Sequence, residues 1–206
     1  MSERGAIGEE TVTEAAEVVR RGGVLVYPTD TIYGLGCDAF NGKAIERVFS
    51  IKGRPEDRPV LLLIGDRKML AGLTEDISAL GERLVERFWP GPLTILFRAR
   101  PGVNHLLTGR EGKVGVRLPD SDFCRRLLER VEGPIVSTSA NISGKEGTQK
   151  VGELRKELGG LVDLFIDGGP PASTVPSTVV DVTGETIRIV REGAVPSGEL
   201  LRVVAS

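Results

Sequence analysis

The sequence predicts a single α/β domain, built on a twisted mixed open sheet flanked by helices. Amphipathic helical segments alternate along the chain with short apolar runs that suit strands. Some of these runs, such as residues 60–64, are apolar at every position, which is typical of strands covered on both faces. Residues 177–190 have the pattern of a hairpin turning near Gly184, so we expect antiparallel pairs in the same sheet.

Capping residues and hydrophobic periodicity predict the order of the elements. The predicted helix N-caps are Thr11, Asn41, Asp120 and Thr148. Strands are predicted at residues 24–28, 60–64, 93–97, 113–119 and 134–137, followed by the hairpin. The chain has 206 residues, no internal repeat and no low-complexity linker. We therefore expect one domain over residues 1–206, with its core at about 10–198 and no additional C-terminal domain.

Composition excludes several functional classes. Hydrophobic residues make up 40% and charged residues 27%, with a net charge of −2, so nucleic-acid binding would need a local basic patch. The N-terminus lacks the apolar stretch of a signal peptide, and no run is long enough for a membrane span, which predicts a cytoplasmic protein. Cys37 and Cys124 lie far apart and are expected to be reduced core residues. The single histidine, His105, is predicted to lie on a surface loop, so a histidine-based metal site or Ser-His-Asp triad is disfavoured.

A cationic segment, residues 50–59, directly precedes the apolar run 60–64. Arg54 and Arg58 offer planar forks that suit phosphate oxygens, and Lys52 adds a point charge. Pro55 and Pro59 restrict the backbone, which lowers the entropy that the cations lose on binding. Taken alone, the segment is equally compatible with a solvated loop whose acidic residues pair with the cations.

Other polar side chains follow predicted strands, where ligand sites of α/β sheets gather. The stretch 136–144 is too rich in hydrogen-bonding side chains for a simple turn, whereas residues 27–38 alone suit a polar turn with two structural glycines. Arg117 and Arg191 each suit a surface role when taken singly. These stretches offer no clear nucleophile, and together they indicate a site that binds phosphate or carboxylate and acts by positioning and charge neutralisation. The residues themselves do not identify a substrate.

The motifs YPTDTIYGLGCDA, IKGRPEDRPVLLLI, WPGPLTILF, VGVRLPD, STSANISG, PSTVVDV and VREGA, in this order, resemble the YrdC-like family of threonylcarbamoyl-AMP synthases. They span about residues 10–198 and match its short, single-domain form. The resemblance implies a concave, positively charged cavity and a nucleotidyltransferase reaction. L-Threonine, bicarbonate and ATP, with Mg²⁺, would give L-threonylcarbamoyladenylate, diphosphate and water. This is the first step of N6-threonylcarbamoyladenosine synthesis in tRNA, and a downstream threonylcarbamoyl transferase complex would use the product.

The resemblance also implies roles for particular residues. The family signature, K-x-R with S-x-N, gives the expected catalytic group: Lys52, Arg54, Ser139 and Asn141. The expected threonine contacts are Thr31, Arg117, Ser137 and Ser177. The expected nucleotide contacts are Lys52, Arg54, Arg58, Ser139, Asn141, Gly147 and Arg191. No metal ligand is assigned to a protein side chain.

The sequence departs from the family pattern at three positions. Arg58 stands where many members have Asn, Leu63 where many have a His expected to contact threonine, and Lys113 where Thr is common. The details of the threonine pocket and the role of Arg58 therefore stay open.

Two alternative functions are also compatible with the sequence. An RNA-binding or ribosome-maturation factor could use the same cavity, because residues 43–68 hold seven Lys or Arg against four Asp or Glu. The chain has few aromatic residues for base stacking, so only weak tRNA binding is expected. A carbamoyl-transfer module like that of hydrogenase maturation proteins is the third hypothesis, although such modules belong to much larger chains.

Overall fold

Nine strands form one sheet in a computed structural model that describes residues 7–55, 60–143, 148–171 and 173–205. The strands are β1 (Leu25–Tyr27), β2 (Gly34–Gly36), β3 (Leu61–Leu63), β4 (Leu93–Arg98), β5 (Lys113–Arg117), β6 (Ile135–Ser139), β7 (Leu164–Phe165), β8 (Thr178–Asp181) and β9 (Arg188–Arg191). Their order is β7-β1-β2-β6-β3-β5-β4-β8-β9. The pairs β1–β7, β3–β5 and β4–β8 are parallel and the others antiparallel. The predicted mixed sheet is confirmed.

Helices cover the sheet and form two apolar clusters. Within the described ranges the α-helices are α1 (Glu9–Arg20), α2 (Gly42–Lys52), α3 (Ala79–Phe88), α4 (His105–Thr108), α5 (Asp122–Val131), α6 (Val151–Leu158) and α7 (Ser197–Ala205), and residues Arg67–Gly72 form a 3-10 helix. One cluster joins α1 and α5 to side chains of β1, β3 and β6. The other joins α2, α3 and α6 to most of the remaining strand residues. The sheet therefore carries helices on both faces, as its apolar strands predict.

The predicted helix starts are confirmed at Asn41 and wrong elsewhere. Asn41 caps α2, with its side chain accepting a hydrogen bond from the Ala44 amide at 3.1 Å. The helix α1 begins at Glu9, ahead of Thr11, and two glutamates in its first turn suit the positive end of the helix dipole.

The other two errors have a local cause. Ser121 caps α5, because its hydroxyl, one residue after Asp120, accepts from the Cys124 amide. Thr148 lies two residues before Lys150, the N-cap of α6, and its hydroxyl accepts from the Lys150 amide instead. Ser121 and Asp120 are equally good N-caps on sequence grounds, so the side-chain contact decides, whereas Thr148 bonds locally before the helix begins.

The stretch predicted as a polar turn contains a buried strand, β2. Its two glycines let the ring of Tyr27 on β1 lie directly against the strand. A Cβ on Gly36 would be 3.1 Å from that ring and would overlap the Val136 carbonyl oxygen. Both glycines are therefore required by close packing within a sheet, although glycine in such a sequence usually indicates a turn.

The predicted hairpin and buried cysteines are present, whereas the prediction for His105 is only partly correct. The hairpin is confirmed as β8 and β9, which pair antiparallel. Cys37 and Cys124 are buried free cysteines. His105 is exposed, although it begins the one-turn helix α4 instead of lying in a loop. In the part of the chain that the structure describes, no helix has the length and apolar character needed to cross a bilayer.

Candidate functional site

One face of the sheet changes from apolar to polar along its central strands. Leu63 on β3 pairs with Ile135 on β6, and both side chains are buried in the cluster beneath α1 and α5. Two residues along each strand, Leu61 pairs with Ser137, and both line an open cavity. Because alternate residues of a strand share a face, α1 and α5 cover one half of this face and leave the other half accessible.

The cavity has a volume of about 430 Å³, which is within the usual range for small-molecule sites. Its lining contains seven serine and threonine side chains: Thr29, Thr31, Thr94, Ser137, Thr138, Ser139 and Ser177. Arg54, Arg117 and Arg191 supply its charge, and the described lining includes no acidic residue. Such a lining suits an anionic ligand with several hydrogen-bonding oxygens.

Arg117 ends β5 and is buried at the base of the cavity. Its Nη1 donates to the Thr31 hydroxyl at 3.1 Å, and its Nη2 lies 3.4 Å from a carboxylate oxygen of Asp30. The Thr31 hydroxyl is in turn 3.0 Å from the Thr29 hydroxyl. Within the described ranges, both Asp30 carboxylate oxygens and the Arg117 Nε are buried without a hydrogen-bond partner, so this ion pair is incompletely satisfied by the protein.

Arg191 ends β9 and holds Ser177. Its Nη2 and Nε donate to the Ser177 carbonyl oxygen at 2.8 and 3.2 Å. The Ser177 hydroxyl lies 2.9 Å from the Thr94 hydroxyl on β4. Burial lowers the pKa of Arg191, and the nearby charge of Arg117 lowers it further. The two guanidinium groups therefore repel each other across the cavity, which favours an anion between them.

Lys52 and Asn141, half of the signature, meet beside the cavity and do not line it. The Lys52 ammonium donates to the carbonyl oxygens of Ser139 and Asn141 at 2.5 and 2.7 Å. The Ser139 hydroxyl is also 2.6 Å from the Asn141 side-chain oxygen. Burial lowers the pKa of Lys52 to about 8, with a smaller contribution from the charge of Arg54. The predicted proximity of the two signature halves is thus present in the fold.

The structure brings most predicted site residues into this one cavity. Its lining includes seven of them: Thr31, Arg54, Arg117, Ser137, Ser139, Ser177 and Arg191. Arg58 and Gly147 lie outside the described residues. Leu63 is fully buried beneath α1 and α5, and Lys113 pairs with Asp181 at 2.9 Å, so neither lines the cavity.

The sequence analysis missed Thr94 and Asp30. Thr94 lies within the apolar strand LTILF. A single hydroxyl in such a strand was the only sign that one of its faces meets a ligand. Asp30 lies among the hydroxyl residues of the motif 27–38, where a single carboxylate is equally typical of a polar turn. No group of three or more His, Cys, Asp or Glu side chains that could hold a metal occurs among the described residues.

Known proteins are similar in sequence to this chain over most of its length. A threonylcarbamoyl-AMP synthase from Pyrococcus abyssi is 36% identical over 201 residues, which is 98% of this chain and 59% of the relative. A threonylcarbamoyl-AMP synthase from Coxiella burnetii is 33% identical over 181 residues, covering 87% of this chain and 97% of the relative. The chain thus spans less than two thirds of the first protein and nearly all of the second.

The fold is shared as well. The crystal structure of P. abyssi Sua5 complexed with L-threonine superimposes with a TM-score of 0.93 at 36% identity, covering 98% of this chain and 59% of that one. The Sua5/YciO/YrdC family model, described as "telomere recombination", matches residues 17–193. On this sequence match, and on a fold shared at high TM-score, the chain belongs to the Sua5/YciO/YrdC family.

Proposed function

We propose that this protein is a threonylcarbamoyl-AMP synthase, which converts L-threonine, bicarbonate and ATP to L-threonylcarbamoyladenylate, diphosphate and water. The observation that carries the proposal is one cavity in which Arg54, Arg117 and Arg191 converge with seven serine and threonine side chains. Relatives that cover 87–98% of this chain have this activity in their names, and a solved relative holds L-threonine.

The reaction requires little acid–base chemistry from the protein. Threonine's amine and bicarbonate condense to a carbamate with loss of water. A carbamate oxygen then attacks the α-phosphorus of ATP, a new P–O bond forms, and the bond to the leaving diphosphate breaks. Because the nucleophile is the anionic carbamate, alignment and charge stabilisation are the contributions needed from side chains.

The cavity divides naturally between the two larger substrates. We assign threonine to the end at Thr31, Arg117, Ser137 and Ser177, where buried hydroxyls and a guanidinium suit its carboxylate and side-chain hydroxyl. We assign the phosphates to Arg54, Ser139 and Arg191, together with Arg58 and Gly147 from the family pattern; Arg191 adjoins the threonine end as well, because it donates to Ser177. This places the carbamate between the two ends.

Magnesium enters this proposal as part of the MgATP substrate. The described lining offers hydroxyls and guanidinium groups but no carboxylate, so it does not fit a protein-held Mg²⁺ site. Mg²⁺ is commonly bound through substrate phosphates, which agrees with such a lining.

The deciding experiment uses purified protein with MgATP, bicarbonate and labelled threonine. We expect diphosphate release that requires both threonine and bicarbonate, together with a labelled adenylate product. Release that is independent of either substrate would contradict the proposal. Tight, salt-sensitive tRNA binding without turnover would favour an RNA-binding function instead. Transfer of the labelled product to tRNA by added transferase complex would establish the expected downstream step.

A further inference from the structure

Lys52 is enclosed by protein although it belongs to the cationic segment. It ends α2, and its side chain is 1% exposed. Arg54, two residues further on, lines the cavity, whereas Lys52 does not. Lys52 and Arg54, which belong to the same cationic segment, therefore have different environments.

The Lys52 ammonium group is already surrounded by oxygen atoms of the protein. Besides the carbonyl oxygens of Ser139 and Asn141, the Asn141 Oδ1 lies at 3.1 Å and the Ser139 Oγ at 3.3 Å. An ammonium group has three hydrogens, so four acceptors fully occupy it. In addition, the Lys52 carbonyl oxygen accepts a hydrogen bond from the Ser143 amide at 2.9 Å. Both the side chain and the backbone of Lys52 thus hold residues 139–143.

We infer that Lys52 is a positioning residue, which clamps residues 139–143 in place and leaves direct contact with the phosphates to Arg54. The identity of the ligand that residues 139–143 bind depends on the proposed function. The positioning role of Lys52 depends only on its contacts with these residues. Because the backbone of these residues is fixed in advance, the Ser139 hydroxyl meets the substrate without an ordering cost.

Competitive acetylation of lysines, read by mass spectrometry, separates a clamp from a phosphate ligand. At pH 8 an accessible lysine with the lowered pKa of Lys52 would be neutral roughly a hundredfold more often than an ordinary lysine, and so would react faster. We expect the reverse: Lys52 should react at least about tenfold more slowly than Lys150, whose side chain is 81% exposed. Saturating ATP, with binding checked by calorimetry, should leave the Lys52 rate unchanged. Fast labelling that ATP suppresses would overturn the inference.

Hydrogen exchange tests the clamp without any substrate. In Lys52→Met, backbone amides of residues 139–143 should exchange at least about tenfold faster, because the segment opens locally. Arg54→Ala is the matched control, since it removes a neighbouring cation from the cavity and should change these rates less than about twofold. Unchanged exchange in Lys52→Met would overturn the inference. The labelling uses the unmodified chain, so it decides even if Lys52→Met does not fold.

Steady-state kinetics separate positioning from general destabilisation. Lys52→Met should raise KM for ATP about tenfold and change KM for threonine less than about twofold, because the proposed threonine contacts lie outside residues 139–143. Equal rises in both KM values would contradict a positioning role. If the unmodified protein shows no threonine-dependent diphosphate release, the proposed function fails, while labelling and exchange in free protein still decide whether Lys52 clamps this segment.

Discussion

At the scale of residues, the cavity keeps its cations in place mainly with neutral partners. Arg117 donates to the Thr31 hydroxyl, and Arg191 donates to the Ser177 carbonyl oxygen. Of the carboxylates in the described ranges, Asp30 alone forms a salt bridge with Arg117 or Arg191. Neutral acceptors orient a guanidinium group without cancelling its charge, so the arginines keep their attraction for an anionic substrate.

Arg54→Ala should lower diphosphate release by on the order of a hundredfold or more while the protein stays folded, as for loss of a group that stabilises transferred charge. Arg125→Ala is the control, because Arg125 lies exposed on α5 and pairs with Asp122 and Glu129. It should have near-normal activity. Initial rates of diphosphate release measure the activity of both variants, and circular dichroism checks that both are folded. Near-normal turnover in Arg54→Ala would show that this cation does not act on the phosphates.

Activity should fall as pH rises through about 8, where the Lys52 ammonium loses its proton. The neutral amine donates two hydrogens instead of three and turns a lone pair toward oxygen atoms, so the clamp weakens. Arg54 disfavours the charged form of Lys52, and Glu157 on α6 favours it. Nuclear magnetic resonance titration of the Lys52 side chain measures its pKa directly. A value near the ordinary 10.5 would contradict this prediction.

At the scale of elements, the strands both support the core and build the site. On β6, Ile135 is buried beneath α1 and α5, whereas Ser137 and Ser139 on the same face line the cavity. The site is therefore carried by hydrogen-bonded strands at the centre of the sheet, which restricts its motion more than a loop would. The neighbouring strand β2 is also tightly packed, because its glycines accommodate the Tyr27 ring.

Gly36→Ala should destabilise the fold by about 1–3 kcal/mol, because the added methyl group would overlap the Val136 carbonyl oxygen. For a chain of this size, each kcal/mol corresponds to about 2–4 °C in the unfolding midpoint. Gly72→Ala provides the control, since nothing lies within 4 Å of a Cβ added there. Thermal unfolding followed by calorimetry measures both. Equal midpoints for the two variants would mean that β2 can shift at little cost.

Much of this element structure was predictable from local patterns, and the errors share a physical cause. Periodicity identified the core faces of the helices, as with Val12, Ala15 and Val19 on α1, because burial repeats with the helical turn. β2 was missed because Gly34 and Gly36 are required by the Tyr27 ring, a contact between strands. The enclosure of Lys52 was likewise hidden, since its acceptors lie 87 and 89 residues away. Local sequence patterns do not show which residues far apart in the chain will be in contact.

At the scale of the whole molecule, the cavity couples substrate binding to global stability. Its charged residues come from separate strands, with Arg117 ending β5 and Arg191 ending β9, and Arg54 follows α2. Burial of the Arg191 charge, together with its repulsion from Arg117, opposes folding of the empty protein, and both lower the pKa of Arg191. An anion that bridges these groups binds the native chain alone and must stabilise the entire fold.

Diphosphate should therefore raise the unfolding midpoint more than sodium chloride of equal ionic strength. At about a hundred times its Kd, it contributes about 2.7 kcal/mol, which for a domain of this size is a shift of roughly 5–10 °C. Arg191→Met removes one of the charges that would hold the anion, so it should reduce this shift. Arg125→Ala, which removes a charge far from the cavity, should keep the full shift. An equal shift in all three proteins would place the diphosphate elsewhere on the surface, because only a site containing Arg191 can respond to its loss.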